Sequence, residues 1–204
     1  MQIPFGEWLP DQPPHLNPGA TVATNVYYAV NSYKPFPSLI SYSTAIGSGV
    51  SNISKDCKGA GSFRSTKNLA FNFAATKTDI FQLEGGTFIS RKSGLTGGDT
   101  DFFTFTQFGD FIIASNGVDV PQYYQMGTST NFANLSGIAT SGTPPTFRVT
   151  GVIRDFLVSG NIIDYSTNPD TETRNRVQWS GLNDIGSWTP GTKQADFQDL
   201  PGSG

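Results

Sequence analysis

The sequence predicts an all-β fold: antiparallel, blade-like sheets of a β-propeller, whole or partial, preceded by an extended proline-rich arm. Three observations carry that expectation. The 204 residues include 23 Gly, 13 Pro, 16 Phe and 7 Tyr, while charged residues make up only 14%. Such usage suits many short strands joined by tight turns. No window of about 12 residues has the 3.6-residue periodicity of an amphipathic helix. A strand-turn-strand unit recurs at a spacing of roughly 40–45 residues, the period of propeller blades.

The unit is clearest between Phe105 and Met126, FTQFGDFIIASNGVDVPQYYQM. Phe108, Phe111, Ile112 and Ile113 form an apolar run of types that favour a pleated, half-buried surface. Asn116-Gly117 predicts a tight turn, since both residues tolerate positive φ. Val118, Val120, Tyr123 and Tyr124 then open a second strand, which Pro121 places near an edge or a bulge. Arg154 to Asn161 repeats Gly109 to Asn116 position for position, and Arg176 to Ser180 follows after an insertion. Upstream, Leu69 to Ala74 leads through a Thr/Lys/Asp turn into Ile80-Phe81-Gln82-Leu83.

In chain order, residues 1–19 read as an arm, with prolines at 4, 10, 13, 14 and 18. Proline removes backbone donors and forbids helix, so the arm is expected to dock through side chains. Phe5, Trp8 and Leu9 are the anchors, on the arm's own domain or on a neighbouring subunit. Residues 20–204 form the propeller-like domain. Ala23 to Val30 is a first strand, and Ser32 to Ser38 a rigid extended link. The Ser/Gly/Ala-rich stretch from Ser41 to Ser54 is a loop or weak strand. Lys55, Lys58, Arg64 and Lys67 make a basic cluster that reads as a solvated turn before the first repeat. Gly59 to Ser62 within it lacks the Gly-Lys-Ser/Thr ending of a phosphate loop.

Repeats are expected at about 67–92, 101–137 and 147–190, with Gly85-Gly86 as a further hairpin turn. Phe111, Phe156 and Trp179 are the expected blade-core residues. The insertion 162–175 carries Asp164, Asp170 and Glu172 but not the alternation of a calcium loop, and reads as a mobile loop. The closing segment, Gln194 to Gly204, is read without a strand after it.

Composition also limits the chemistry. Residues 1–100 hold 8 basic and 6 acidic side chains, and residues 101–204 hold 5 and 10. Neither half carries a nucleic-acid footprint. Cys57 is the sole cysteine, which excludes an internal disulfide and fits assembly in a reducing compartment. No run approaches the roughly 18 apolar residues of a membrane span. The first residues, MQIPFGEWLPDQPP, lack the charged flank and apolar stretch of a signal peptide. The glycosylation patterns at Asn52 and Asn134 are therefore read as chance matches.

The only histidine, His15, sits in the arm, and one His with one Cys cannot build a usual zinc site. No metal, cofactor or catalytic residue is assigned, and the expectation is a protein that is not an enzyme. A carbohydrate-binding or depolymerising protein that reads sugars with Tyr123, Tyr124 or Trp188 is a further expectation. Exposed aromatics beside two carboxylates would favour that expectation, and aromatics buried between sheets would oppose it.

Four stretches also resemble a known family. They are Phe5 to Asp11, Tyr33 to Ser38, Gln107 to Asp110 with Asn116 to Asp119, and Arg176 to Gly181 with Gln194 to Phe197. Together they are similar to the tail nozzle, or packaged-DNA stabilisation, proteins of short-tailed bacteriophages. The resemblance implies a β-propeller whose copies form a homo-oligomeric ring, six-fold in arrangement. That ring would continue the DNA channel below the portal and adaptor proteins, contact other tail proteins, and pass DNA without sequence-specific binding. It implies a virion location, with assembly in the host cytoplasm. Members of the family are longer, and three repeats do not close a propeller of 4–8 blades. Either the chain is the front part of a longer product, or several chains complete the ring.

Overall fold

The computed structural model describes residues 7–13, 15–29, 32–37, 53, 55–164 and 171–202. The chain divides into two compact units, Met1–Ile46 and Gly47–Gly204.

In the first unit β1 (Val26–Ala29) and β2 (Ser32–Pro35) form an antiparallel hairpin. The segment expected to be a rigid link is thus half strand. Pro35 is tolerated because a two-stranded ribbon consists of edges alone. Tyr27 meets Phe36 edge-to-face, with ring centroids 5.7 Å apart. The arm departs from expectation too. The Leu9 N–H donates to the Ala20 carbonyl at 3.0 Å and the Ala20 N–H to the Glu7 carbonyl at 2.9 Å. Asn17 Nδ2 donates to the Leu9 carbonyl at 2.7 Å. The prolines leave enough donors between them for the arm to fold back on itself, so side-chain docking is not its sole support.

The second unit is three four-stranded antiparallel meanders, each with its strands in chain order. The first holds β3 (Gly59–Arg64), β4 (Ala70–Ala75), β5 (Ile80–Glu84) and β6 (Thr87–Lys92). The second holds β7 (Thr104–Phe108), β8 (Phe111–Ser115), β9 (Gln122–Gln125) and the two-residue β10 (Ala133–Asn134). A 3-10 turn at Leu135–Ile138 follows and buries Leu135. The third holds β11 (Thr146–Ile153), β12 (Phe156–Asp164), β13 (Thr171–Trp179) and β14 (Asp196–Asp199). No α-helix occurs among the described residues. The fold is all-β and blade-like, as expected.

The repeat alignment agrees with the ladder. Phe108 pairs with Phe111 across Gly109-Asp110, and Ile153 pairs with Phe156 across Arg154-Asp155. The first turn residue has positive φ in both, 57° at Gly109 and 53° at Arg154. Asn116-Gly117 differs from expectation. It lies in the longer connection between β8 and β9, where Asn116 Oδ1 accepts the N–H groups of Val118 and Asp119 at 3.0 and 2.9 Å. An asparagine capping its own loop in this way replaces the two-residue hairpin turn.

Three boundaries are corrected. The first blade begins at Gly59, within the stretch read as a basic turn. A Cβ on Gly59 would overlap the Phe103 carbonyl oxygen, so close approach of the next blade removes the apolar residues that announce a strand. The insertion read as a loop is in large part ladder, with Ile162, Ile163 and Asp164 paired to Thr173, Glu172 and Thr171 beyond a register shift at Gly160/Ile162. Asp170 lies outside the described residues. The third repeat, expected to end near 190, runs on to a fourth strand, Asp196–Asp199.

Two apolar clusters lie between successive blades. The first joins Phe73, Ala75 and Ile80 to Phe103, Ile112, Ala114, Tyr124, Met126 and Phe132. The second joins Ile113 and Leu135 to Phe147, Leu157, Ile162, Ile185 and Trp188. Alternation along β8 sends Ile112 and Ala114 into one cluster and Ile113 into the other. The second blade is therefore covered on both faces.

Candidate functional site

The first strands of the three blades are neighbours, β3 beside β7 and β7 beside β11. Each is an edge of its own sheet, and the neighbours are joined through side chains and, just ahead of β3 and β7, by the Phe103 N–H donating to the Lys58 carbonyl at 2.9 Å. Thr104 Oγ1 donates to the Arg148 carbonyl and Thr106 Oγ1 to the Thr150 carbonyl, both at 3.1 Å. The Ser115 hydroxyl donates to the Phe147 carbonyl. Between the first and second blades, Gln107 Nε2 donates to the Arg64 carbonyl at 2.7 Å. The Thr66 N–H and hydroxyl both donate to the Asp110 carboxylate, at 2.7 and 2.6 Å. The hydroxyl bond from Thr66, helped by its N–H, holds the Asp110 carboxyl below the usual range.

The basic cluster is largely engaged on the protein. Lys55 Nζ pairs with Asp79 at 3.0 Å, and Lys58 Nζ reaches the Asp99 carbonyl at 2.8 Å while lying 5.8 Å from the Phe102 ring. Burial opposes ionisation of Asp79, but bonds from Thr78 and Lys55 outweigh it and lower its pKa. Asp184 behaves alike: burial is outweighed by Lys193, Thr140 and the Gly186 N–H.

The expected core residues are less buried than expected. Phe111, Phe156 and Trp179 are half-buried. The fully buried positions lie one residue on, at Ile112 and Leu157. The residue just after a two-residue turn sits at a strand end, where the neighbouring sheet covers it incompletely. Phe111 packs beside Tyr123, ring centroids 6.2 Å apart, at a cleft of about 310 Å³ that Phe108, Ile138 and Ile185 also line. Trp179 Nε1 donates to the Gln194 carbonyl at 2.9 Å. In the arm Trp8 is exposed and Leu9 half-buried, and Phe5 lies outside the described residues. Trp8 lines a cleft of about 360 Å³ with Glu7, Ala23, Val26 and Tyr33.

A cleft of about 590 Å³ lies between the outer strands of the third blade and the loop through Pro144 and Pro145. Arg176 forks onto the Asp199 carboxylate at 2.7 and 2.9 Å and stands 4.0 Å over the Phe197 ring there. Trp188 forms part of its floor, stacked on Phe147 and donating Nε1 to the Ile185 carbonyl at 2.8 Å. The sequence places Phe73 and Phe147 in repeats but does not mark them, or Leu135, as core. Phe147 is the second residue of β11, two places after Pro145, and Leu135 sits in a 3-10 turn, so each stands at the margin of a strand pattern.

Among the described residues, no group of three or more His, Cys, Asp or Glu side chains stands close enough to hold a metal ion. None of their helices is long and apolar enough to cross a membrane. No protein-family model and no curated protein sequence matches the chain.

Proposed function

We propose that the chain is a structural component of a phage tail, a nozzle or head-to-tail ring that continues the DNA channel and helps retain and release the genome. One observation carries this reading over a sugar-reading protein. The aromatics that would stack on sugars are packing residues: Tyr124 and Trp188 are 3% and 2% exposed, and Tyr123 lies half-buried against Phe111. Sugar recognition needs ring faces open to solvent, and those of Tyr124 and Trp188 are enclosed. The stacked blades and adjoining first strands support a propeller that further blades would close. In this reading copies form a ring, portal, adaptor and other tail proteins are its neighbours, and no residue has a catalytic role.

The acidic surplus of residues 101–204 supports a wall along which DNA slides without being gripped. The test is a particle assembled without the chain. Heads that package DNA and then lose it support the reading, while stable, filled and infectious particles overturn it. Binding to a random duplex across a salt series tests the wall itself. Submicromolar affinity at about 150 mM salt with a steep salt slope would replace sliding by clamping.

A further inference from the structure

Asn116 and Gly117, in the connection between β8 and β9, stand where the three blades meet. Asn116 is 1% exposed. Its Nδ2 donates to Asp119 Oδ2 at 2.7 Å, and its Oδ1 accepts the Val118 and Asp119 N–H groups. The Asp119 carboxylate also accepts the Thr96 N–H at 2.9 Å and the Thr96 hydroxyl at 2.6 Å, from the segment that leaves the first blade. A Cβ on Gly117 would stand 2.9 Å from the Arg148 Cβ of the third blade, and Gly117 has a φ of 73°. Close approach and positive φ both call for glycine at 117, and the loop cap calls for asparagine at 116. The fold therefore requires this Asn-Gly step, which occurs once in the sequence.

Asn-Gly is also a step that rearranges readily, since glycine has no side chain to obstruct its own nitrogen. We propose that Asn116 is a deamidation site held shut in the folded chain, and that its reaction commits an opened chain to stay open. The Gly117 nitrogen loses its proton and attacks Asn116 Cγ. The Cγ–Nδ2 bond breaks, the departing nitrogen takes up the proton as ammonia, and a five-membered succinimide remains. Water then opens the ring to aspartate or isoaspartate. In the folded loop three hydrogen bonds fix the amide and water is excluded, so ring closure waits on local opening. Either product lacks the donor to Asp119. Aspartate sets a second carboxylate where Nδ2 stood, against that of Asp119, and the like charges repel. Isoaspartate adds a backbone carbon beside Arg148, where Gly117 has no room for a Cβ. Both products release Asp119, and with it the hold on Thr96. This inference does not rest on the tail reading.

Mass spectrometry of the peptide that contains Asn116 tests it, after incubation in mildly alkaline buffer with and without concentrated urea. Deamidation is expected to be at least about tenfold slower in the folded chain, because its rate follows the open population. Equal rates overturn the inference. Thr96→Val leaves Asn116 in place but takes the hydroxyl donor from Asp119, and is expected to speed the reaction several-fold in the folded chain. Thr96→Ser keeps a hydroxyl and is expected to react at the wild-type rate. A Thr96→Val rate equal to wild type overturns the link to the blade junction. Circular dichroism checks that both variants fold, and the urea comparison stands without them. Wild type partly deamidated in urea is then diluted to refold, and gel filtration separates native from non-native chains. Deamidated chains are expected in the non-native fraction alone. Equal deamidation in the two fractions overturns the claim that the reaction commits an opened chain.

Discussion

The second and third blades are built from the same repeat but packed differently, and the difference separates what the repeat encodes from what its neighbours supply. In the second, β8 is covered on both sides and Ile112, Ile113 and Ala114 are all 0% exposed. In the third, β12 alternates, with Leu157 and Ser159 buried and Val158 half-buried. Position in the repeat sets the face on which a side chain lies. The blade beyond it decides whether that face is core.

The largest expected effect breaks the equivalence of Ile113 and Val158. Ile113→Ala removes methyl groups from a filled interior and should cost about 2–5 kcal/mol in denaturant unfolding. Val158→Ala in the monomeric chain should cost about 1 kcal/mol or less, because much of its transfer to the interior is not realised there. Equal losses would show that the third blade's forward face is as covered as the second's.

Phe111 and Phe156 sharpen the same contrast. Truncation of Phe111, which packs beside Tyr123 and Ile138, should cost about 2 kcal/mol, and truncation of Phe156 about half as much. A costlier Phe156 in dilute, monomeric protein would reverse the order of the two blades.

The turns offer a smaller test. Gly109 and Arg154 occupy one turn position with φ near 57° and 53°. Left-handed backbone is strained for a residue with a side chain, so Gly109→Arg should destabilise by about 1 kcal/mol. Arg154→Gly should change stability by less, since relief of that strain is offset by a freer unfolded chain. A neutral Gly109→Arg would show that the turn relaxes to other angles.

The smallest effect is on pH dependence. The folded pKa of Asp110 is lowered by Thr66, and that of Asp184 by Lys193 and Thr140 against burial. Groups depressed in the folded state add stability that is present above their unfolded pKa, near 3.9. It is lost as pH falls through the folded value. Stability from these groups should therefore hold from neutrality to about pH 4 and fall below it. Asp110→Asn should flatten that fall in urea midpoints measured across the acid range. An unchanged profile would remove the Thr66 contact from the account of how the first two blades are joined.

The repeat was legible because it rests on local chemistry: apolar alternation, a two-residue turn, and glycines where φ is positive. Burial was less legible. Phe111 and Ile112 are equally apolar in sequence, and only the neighbouring sheet tells them apart. Strand β3 was hidden because Gly59 and Ala60 carry little apolar signal, and close packing forbids more at Gly59. The arm's return was hidden because a contact between Leu9 and Ala20 leaves no periodic trace. Of the candidate site, the aromatic residue types were visible. Their enclosure between sheets depends on pairings that no single segment encodes.

The hydroxyls joining β7 to β11 have a mechanical consequence. Within a blade, strands are laced by successive backbone bonds, while across this boundary Thr104, Thr106 and Ser115 each contribute one side-chain fastening to a carbonyl of the next blade. Fasteners of that kind can be released without unravelling either sheet. A tensile load across the boundary should therefore part the second and third blades as two intact plates. In a single-molecule pulling experiment, Thr104→Val with Thr106→Val should lower the first rupture force and leave the later, within-blade ruptures unchanged.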